Sequence, residues 1–283
     1  MSDPQTAARA GATPPVPAQA ALSEPPARPA VEVRGLEFSY GSRPILRGVD
    51  LAFPEGAVSA LVGPNGCGKS TLVKHITRAL SPKAGTVSVL GDDVARLGRR
   101  EVARRVAVLA QGGIVPGVRV EQFVAGGRYP YSGAFSAPNA DDRRIVAAAM
   151  EQAGCARFAG CDMRSLSGGE RQRVHLAMVL AQQTPVVVMD EPTTYLDVSA
   201  CFDLMDLVRD LNRAGKTVIM VLHDLNLALT CCDHVAVMRA GELVCAGAPS
   251  AVAQSGVVEE VFGVRLRRVE EEGRPYYCLL PRR

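Results

Sequence analysis

The stretch GPNGCGKST, Gly63–Thr71, decides the fold. It fits the pattern G-x-x-x-x-G-K-S/T and lies between a continuous apolar run, AVSALV, and a helical pattern, KSTLVKHITRAL. Gly66 and Gly68 allow the tight backbone that turns several N–H groups toward one point, beside the positive end of the helix dipole. Lys69 adds a full positive charge, and Ser70 adds a hydroxyl suited to Mg²⁺. The pattern predicts a phosphate-binding loop, and the plainer alternative is an ordinary glycine-rich turn.

Short apolar strands alternate with helical patterns on both sides of this loop. The buried-strand patterns are AVSALV, TVSVL, RVAVLA, PVVVMD, TVIMVL and HVAVM. Continuous apolar runs are typical of strands covered on both faces. Their alternation with helices predicts an α/β domain with a mainly parallel sheet. Two earlier segments, VEVRGLEFSY and ILRGVDLAF, instead alternate like half-buried strands.

Length, composition and charge limit the remaining possibilities. The chain has 283 residues, 47% of them hydrophobic, so it can bury a sizeable core. Its net charge of +3 is too small to indicate a nucleic-acid surface. No apolar run approaches the ~18 residues of a membrane-spanning helix. The eight cysteines follow no regular framework, so we expect free thiols in a reducing compartment. The Ala/Pro-rich residues 1–30 should be disordered, and the folded part should span residues 31–283.

Two adjacent carboxylates, Asp190 and Glu191, follow the apolar pattern VVVM. In phosphate-loop ATPases, the acid that ends a later buried strand completes the Mg²⁺ shell, and Asp190 ends such a strand. Glu191 is one residue further on and should point elsewhere, where it can orient or deprotonate an attacking water. We therefore expect the pair to divide metal binding from water activation.

The segment LSGGERQRVHLAMVLAQQ predicts another helix, which begins at or just before Gly168. Ser167 and Glu170 fit a capping box, and this structural role alone would explain the motif. Placing Ser-Gly-Gly at a helix N-terminus, however, also builds a second anion site.

The sequence resembles the ATP-binding subunits of ABC transporters over about residues 31–283. The motifs occur in the order of that family: GPNGCGKST, Gln111 in VLAQGG, LSGGE, VVVMDEP, Leu196-Asp197, and His223 in VLHDLN. This ordered set is far more specific than a phosphate loop alone. The resemblance implies an ATPase that uses ATP and Mg²⁺. It also implies a phosphate-loop α/β core, an N-terminal antiparallel β-subdomain and an inserted helical subdomain at about residues 112–182.

The resemblance further implies a head-to-tail dimer, most simply a homodimer, with each ATP held between two chains. Gln111 would link Mg²⁺ and the attacking water to a membrane permease, and His223 would contact the γ-phosphate. Tyr40 matches the aromatic that stacks on adenine, although it could be an ordinary strand residue, and His223 could be structural. The expected nucleotide contacts are Tyr40, Gly63, Pro64, Asn65, Gly66, Cys67, Gly68, Lys69, Ser70 and Thr71, with Ser167, Gly168, Gly169 and Asp197 across the dimer. The expected metal contacts are Ser70, Gln111 and Asp190.

Four segments narrow the subfamily: EPTTYLD, GGRYPYSGAF (residues 126–135), VLHDLNLA and the ending GAPSAVAQSGVVEEVFGV. They resemble the ATPases of ferric-siderophore importers, whose relatives import vitamin B12 and haem. The aromatics of GGRYPYSGAF could contact the permease or belong to the subdomain core. Glu170 departs from the Gln that is usual in this group.

We therefore expect a peripheral subunit at the cytoplasmic face of the cell membrane. Its partners would be a second ATPase subunit, a permease and, indirectly, a substrate-binding protein, with no nucleic acid. Vitamin B12 and haem remain alternative cargoes. A non-transport ABC ATPase acting on ribosomes or DNA is the alternative from another class. The single motif set and the short interval between Gln111 and Ser167 count against that class.

Overall fold

The computed structural model describes residues 28–110, 115–131, 139–194 and 196–282. Its strands are β1 (Pro29–Tyr40), β2 (Arg43–Pro54), β3 (Val58–Val62), β4 (Ala84–Val89), β5 (Asp92–Asp93), β6 (Val106–Leu109), β7 (Val186–Asp190), β8 (Thr217–Val221), β9 (His234–Arg239), β10 (Glu242–Gly247), β11 (Val264–Glu271) and β12 (Arg274–Pro281). Its α-helices are α1 (Lys69–Ile76), α2 (Arg99–Arg105), α3 (Val120–Ala125), α4 (Ala140–Gln152), α5 (Gly168–Ala181), α6 (Val198–Arg213), α7 (Leu225–Cys231), α8 (Pro249–Gln254) and α9 (Val257–Phe262).

The centre of the fold is a six-stranded sheet with the order β10-β9-β3-β8-β7-β6. The strands from β9 to β6 pair in parallel, and β10 pairs antiparallel with β9 at one edge. Every residue of β3, β7 and β8 is buried, as expected for strands covered on both faces. The prediction of an α/β fold with a mainly parallel sheet is confirmed.

A second, antiparallel sheet has the order β2-β1-β4-β5. It contains the TVSVL segment, so the prediction that this segment joins the parallel sheet is wrong. Val31 of β1 lies opposite Val89 of β4 in an antiparallel register. Val87 and Val89 lie on the same side of β4 and are buried, whereas Ser88 between them is half-buried. The alternation of Val and Ser was therefore the signal of a sheet covered on one face.

One hydrophobic cluster lies between the two sheets and includes α1. Phe53 of β2, and Leu72 and Ile76 of α1, are completely buried there. Helix α1 ends at Ile76, before the end of the pattern KSTLVKHITRAL, because Arg78 adopts a positive φ of 56°. Helix α1 packs against the antiparallel sheet, and this packing fixes the position of the loop Gly63–Gly68 that precedes the helix.

The chain between β6 and β7 contains α3, α4 and α5, which pack against one another. Their shared core includes Val120, Val146, Met150 and Val174. The helices fall within the predicted helical subdomain. Among the described residues, no helix has the length and apolar composition needed to cross a membrane.

The eight cysteines are free thiols. Cys231 ends α7, and Cys232 after it is buried, which raises the pKa of its thiol. Within the described ranges no group of three or more His, Cys, Asp or Glu side chains is placed to hold a metal ion. Within the Cys231–His234 sequence, Cys232 and His234 are buried, Cys231 is half-buried and Asp233 is exposed.

Candidate functional site

The loop from Gly63 to Gly68 connects β3 to α1, as predicted. Gly63 packs so closely on β9 that a Cβ atom there would lie 2.3 Å from the Met238 carbonyl oxygen. Gly68 precedes the first residue of α1 with a φ of +108°, and a Cβ atom there would lie 2.8 Å from Leu46 Cδ2. Both positions require glycine, the first for a close approach and the second also for its left-handed backbone.

Lys69 and Ser70 begin α1 and point two different polar groups into the loop region. The Lys69 side chain is only 6% exposed, and its Nζ donates to the carbonyl oxygens of Gly63 at 2.6 Å and Pro64 at 3.2 Å. The Ser70 hydroxyl donates to Asp190 Oδ1 at 3.4 Å. The first turn of α1 contains no acidic residue, so the positive end of its dipole is not neutralised there.

The adjacent carboxylates at the end of β7 contact different partners. Asp190 is buried, and this burial raises its carboxyl pKa, an effect that the Ser70 hydrogen bond partly opposes. Glu191 adopts a left-handed backbone with a φ of +54° while its N–H donates to the Val221 carbonyl at 3.1 Å. This turn directs its side chain to His223, whose Nε2 lies 2.5 Å from Glu191 Oε1. The geometry is compatible with the predicted division of roles.

A cavity of ≈300 Å³ lies over the loop. Its lining residues are Arg43, Ile45, Asn65, Gly66, Gly68, Lys69, Ser70, Thr71 and Glu191. Arg43 and Ile45 were missed by the sequence analysis because no local motif marks them. They belong to β2, and only the packing of the two sheets brings them over the loop.

Tyr40 ends β1 opposite Arg43, beside the cavity rather than in its lining. Its ring is 47% exposed and packs edge-to-face on Phe38, with the ring centroids 4.9 Å apart. An exposed aromatic beside the mouth is well placed to stack on a planar ligand group. Cys67 of the loop is buried, and this burial raises its thiol pKa.

The second predicted set of nucleotide contacts lies apart from this cavity. Ser167 is the N-cap of α5, and its N–H donates to Glu170 Oε2 at 2.8 Å while its hydroxyl accepts from the Glu170 N–H at 3.4 Å. The predicted capping box is therefore confirmed. Ser167 and Gly168 are exposed, and a Cβ atom at Gly168 or Gly169 would meet no atom within 4 Å. This helix end is open on its outer side.

Asp197 is also exposed and caps α6, accepting from the Ala200 N–H at 2.8 Å. Helix α5 is tied to the carboxylate loop by Gln172, whose Nε2 donates to the Pro192 carbonyl at 3.1 Å. The predicted site residues of one chain therefore fall into two groups. One group lines or borders the cavity, and the other lies at the exposed starts of α5 and α6. Gln111 lies outside the described residues, as do Tyr195 and residues 132–135 of the GGRYPYSGAF segment.

The cavity contains the groups that a magnesium nucleotide requires. Loop N–H groups and the Lys69 ammonium suit phosphate oxygens. The Ser70 hydroxyl and the Asp190 carboxylate place two oxygens side by side, and Mg²⁺ in proteins takes oxygen ligands. The donor set therefore fits both groups.

Comparisons with known proteins agree with this chemistry. A family model described as ABC transporter matches residues 46–194, just over half of the chain. The achromobactin transport ATP-binding protein CbrD of Dickeya dadantii is 43% identical, over 86% of this chain and 91% of that protein. The ferric enterobactin transport ATP-binding protein FepC of Escherichia coli is 39% identical, over 83% and 88%. The hemin import ATP-binding protein HmuV of Streptomyces coelicolor is 42% identical, over 84% and 86%.

Solved structures show the same fold. A metal-chelate type ABC transporter in an inward-facing conformation superposes with a TM-score of 0.75, covering 90% of this chain and 97% of that chain. The two sequences are 21% identical, so this likeness concerns the fold alone.

The burial of Asp190 predicts a measurable effect on stability in the absence of nucleotide and metal. At pH 7, Asp190→Asn should raise the melting temperature, because the neutral amide avoids the penalty of a buried charge. Since the folded pKa lies above the ordinary value of about 3.9, the penalty is absent below about pH 4 and complete only above the raised pKa. The difference from the unsubstituted chain should therefore vanish in acid.

Thermal unfolding between pH 4 and pH 8 measures this effect. Asp206→Asn is the matched control, because Asp206 is an exposed carboxylate in a surface ion pair with Arg209. A lower melting temperature for Asp190→Asn at pH 7 would contradict the prediction.

Proposed function

The chain belongs to the ABC transporter family, and we propose that it is the ATP-hydrolysing subunit of an importer for ferric siderophores. It binds ATP and is an ATPase coupled to transport. The observation that carries the proposal is its similarity to import ATP-binding subunits, which extends over more than four-fifths of the chain.

We assign the cavity over the phosphate loop to the ATP phosphates. The loop N–H groups and Lys69 bind phosphate oxygens, and the Lys69 amine is already held inside the loop by the Gly63 and Pro64 carbonyls. Ser70 and Asp190 would hold Mg²⁺, which neutralises phosphate charge when bound. Tyr40, beside the mouth, stacks on the adenine.

Glu191 orients the attacking water or takes its proton, because its carboxylate lines the cavity and is separate from the metal-binding Asp190. His223 fixes this carboxylate through the 2.5 Å contact and contacts the terminal phosphate. Gln111 is assigned to the link between this centre and the permease on the family resemblance alone.

The exposed end of α5 supports a shared site in a head-to-tail dimer. Ser167 and Gly168 are exposed, Gly169 is half-buried, and a Cβ atom at either glycine would meet nothing within 4 Å, so this helix end can approach a nucleotide bound by another copy. Asp197 is exposed as well and lies at the same interface in this arrangement. A homodimer is the simplest assembly, since one chain contains both halves of the site.

The remaining partners follow from the transport role. The subunit would lie at the cytoplasmic face of the membrane, bound to a permease that provides the path for the cargo. A substrate-binding protein would deliver the chelate on the other side without touching this chain.

Haem is the second candidate cargo. The hemin relative is 42% identical and the achromobactin relative 43% identical, so overall identity does not separate the two cargoes. We favour a ferric siderophore because the segments EPTTYLD, GGRYPYSGAF and VLHDLNLA resemble that group.

The adjacent carboxylates should differ in mutant kinetics. Glu191→Gln keeps the shape of the side chain but removes the base, so it should bind Mg-ATP and lose at least ~10²-fold in turnover. Asp190→Asn should instead shift the Mg²⁺ concentration needed for half-maximal ATP binding to higher values. Magnesium titrations of nucleotide binding and of phosphate release separate the two effects. The same Mg²⁺ dependence in both variants would contradict the division of roles.

The shared site predicts complementation between two inactive chains. Lys69→Ala removes the ammonium from the loop, and Ser167→Arg blocks the helix end that must approach the partner's nucleotide. Ser167→Arg should retain ATP binding, because its own loop is unchanged, yet neither variant alone should hydrolyse ATP. Mixed dimers contain one undamaged site, so ATPase activity should return on mixing. Failure of mixed dimers to form, or to hydrolyse ATP, would argue against the head-to-tail arrangement.

The proposed cargo can be tested by deleting the chain in its native cells. Uptake of ⁵⁵Fe-labelled ferric siderophore should stop, while chelate capture by the binding protein persists, because capture does not require ATP hydrolysis. Hemin and cobalamin uptake are measured alongside as controls. Normal iron-chelate uptake with loss of either control cargo would exclude the siderophore and leave the ATPase assignment intact.

A further inference from the structure

The segment Gly126–Tyr131 follows α3 and packs directly on the C-terminal end of α5. It begins with a short 3₁₀ helix, Gly126–Arg128. A Cβ atom at Gly127 would lie 2.3 Å from the Met178 carbonyl oxygen and 3.3 Å from the Ala181 Cβ. The contact is therefore backbone against backbone, and only glycine permits it. Gly126, one residue earlier, would meet nothing within 4 Å.

Arg128 adds a polar connection at the same place. Its guanidinium is buried, and Nε donates to Asp142 Oδ1 at 2.8 Å. Its Nη1 donates to the Ala181 carbonyl at 3.0 Å and to Gln183 Oε1 at 3.2 Å. One side chain thus ties the segment to α4 and to the end of α5. The carbonyl end of a helix favours a cation, and the buried Asp142 requires one.

The other side of the segment is exposed. Tyr129 is 61% exposed and Tyr131 is 38% exposed. The Tyr131 ring lies near two guanidinium groups, with Cζ of Arg128 at 4.3 Å and Cζ of Arg104 at 5.5 Å from its centroid. The Arg104 Nε also donates to the Pro130 carbonyl at 2.9 Å. The six-residue segment Gly126–Tyr131 therefore has an exposed aromatic side and a buried side that contacts α5.

Helix α5 can amplify a small movement at this end. It has 14 residues, which corresponds to a length of about 21 Å. Its far end carries Ser167, and its near end is tied to α2 and β6 by Gln182, whose Nε2 donates to the Ala103 and Val106 carbonyls. A rotation of about 10° about the near end would displace Ser167 by about 4 Å.

We propose that Gly127 and Arg128 form a joint that transmits movement of the exposed Tyr129–Tyr131 face, through α5, to Ser167–Gly169. Both are positioning residues, since neither lines the nucleotide cavity. The proposal rests on the proposed function, in which this subunit binds a permease and Ser167–Gly169 complete the partner's site, and it assigns the permease contact to the exposed Tyr129–Tyr131 face. Its consequence is that loosening the joint uncouples the permease from hydrolysis without altering nucleotide binding.

The test compares Gly127→Ala with Gly126→Ala in the full chain, alone and assembled with its permease. Gly127→Ala must displace the segment from α5, whereas Gly126→Ala adds the same methyl group into open space. The ratio of permease-stimulated to basal ATPase activity should fall roughly 3- to 30-fold in Gly127→Ala. The KM for ATP and the basal kcat should remain within about twofold, and Gly126→Ala should match the unsubstituted chain.

Arg128→Lys provides a second variant in case Gly127→Ala fails to fold. It retains a cation beside Asp142 but loses the planar fork that reaches α4 and α5 together. Its matched control is Arg164→Lys, which alters an exposed pair with Asp162 in the same subdomain. The stimulation ratio should fall in Arg128→Lys and stay unchanged in Arg164→Lys.

Two results would contradict the proposed joint but leave the proposed function intact. One is stimulation in Gly127→Ala and Arg128→Lys equal to that of their controls. The other is an equal fall in basal and stimulated activity, which would indicate a structural role only. Absence of stimulation in the unsubstituted transporter would instead overturn the proposed function, and the joint with it.

Discussion

The parallel pairing of β3, β8 and β7 is the constraint on which the site depends. Asp190 lies opposite Val221 of β8, and Val221 lies opposite Leu61 of β3, so the three strands end in one row. The chain leaving each strand must then pass the same edge of the sheet. The phosphate loop, Glu191 and His223 meet there because they follow these three ends by one or two residues. Residues more than 100 positions apart are thereby placed within hydrogen-bond distance, as Ser70 and Asp190 are.

This placement requires features that do not favour folding by themselves. Asp190 is a buried carboxylate with a raised pKa, and Glu191 adopts a left-handed backbone that a non-glycine residue rarely takes. Lys69 is almost completely buried, with its charge solvated by two loop carbonyls. The burial of every residue of β3, β7 and β8 stabilises the folded state and offsets these unfavourable contributions. The rigid core can therefore hold both carboxylates in fixed and different directions.

Sequence reasoning succeeded where the signal was local and failed where it depended on packing between sheets. The loop glycines, the Ser167 capping box and the apolar runs of β3, β7 and β8 each have a short-range physical signature, and each was predicted. TVSVL was assigned to the parallel sheet, although its buried valines alternate with Ser88. Arg43 and Ile45 have no motif at all, because their position over the loop depends on how β2 lies across α1. A single sequence contains no direct measure of that packing.

The two neighbouring glycines of the GGR sequence illustrate the same limit. Gly126 and Gly127 are adjacent residues of the same type, yet one faces open space and the other contacts the backbone of a helix some 50 residues later. The sequence left the adjoining aromatics divided between core and surface, and the two that the structure describes, Tyr129 and Tyr131, are both exposed. Arg128 is buried and tied to α5, while Tyr129 is exposed. Since Ser167 caps the start of α5 and the helix ends at this contact, a single helix connects the surface assigned to the permease with the half-site assigned to the partner's nucleotide. In the proposed coupling, α5 would move as a rigid body together with α3 and α4, against which it packs.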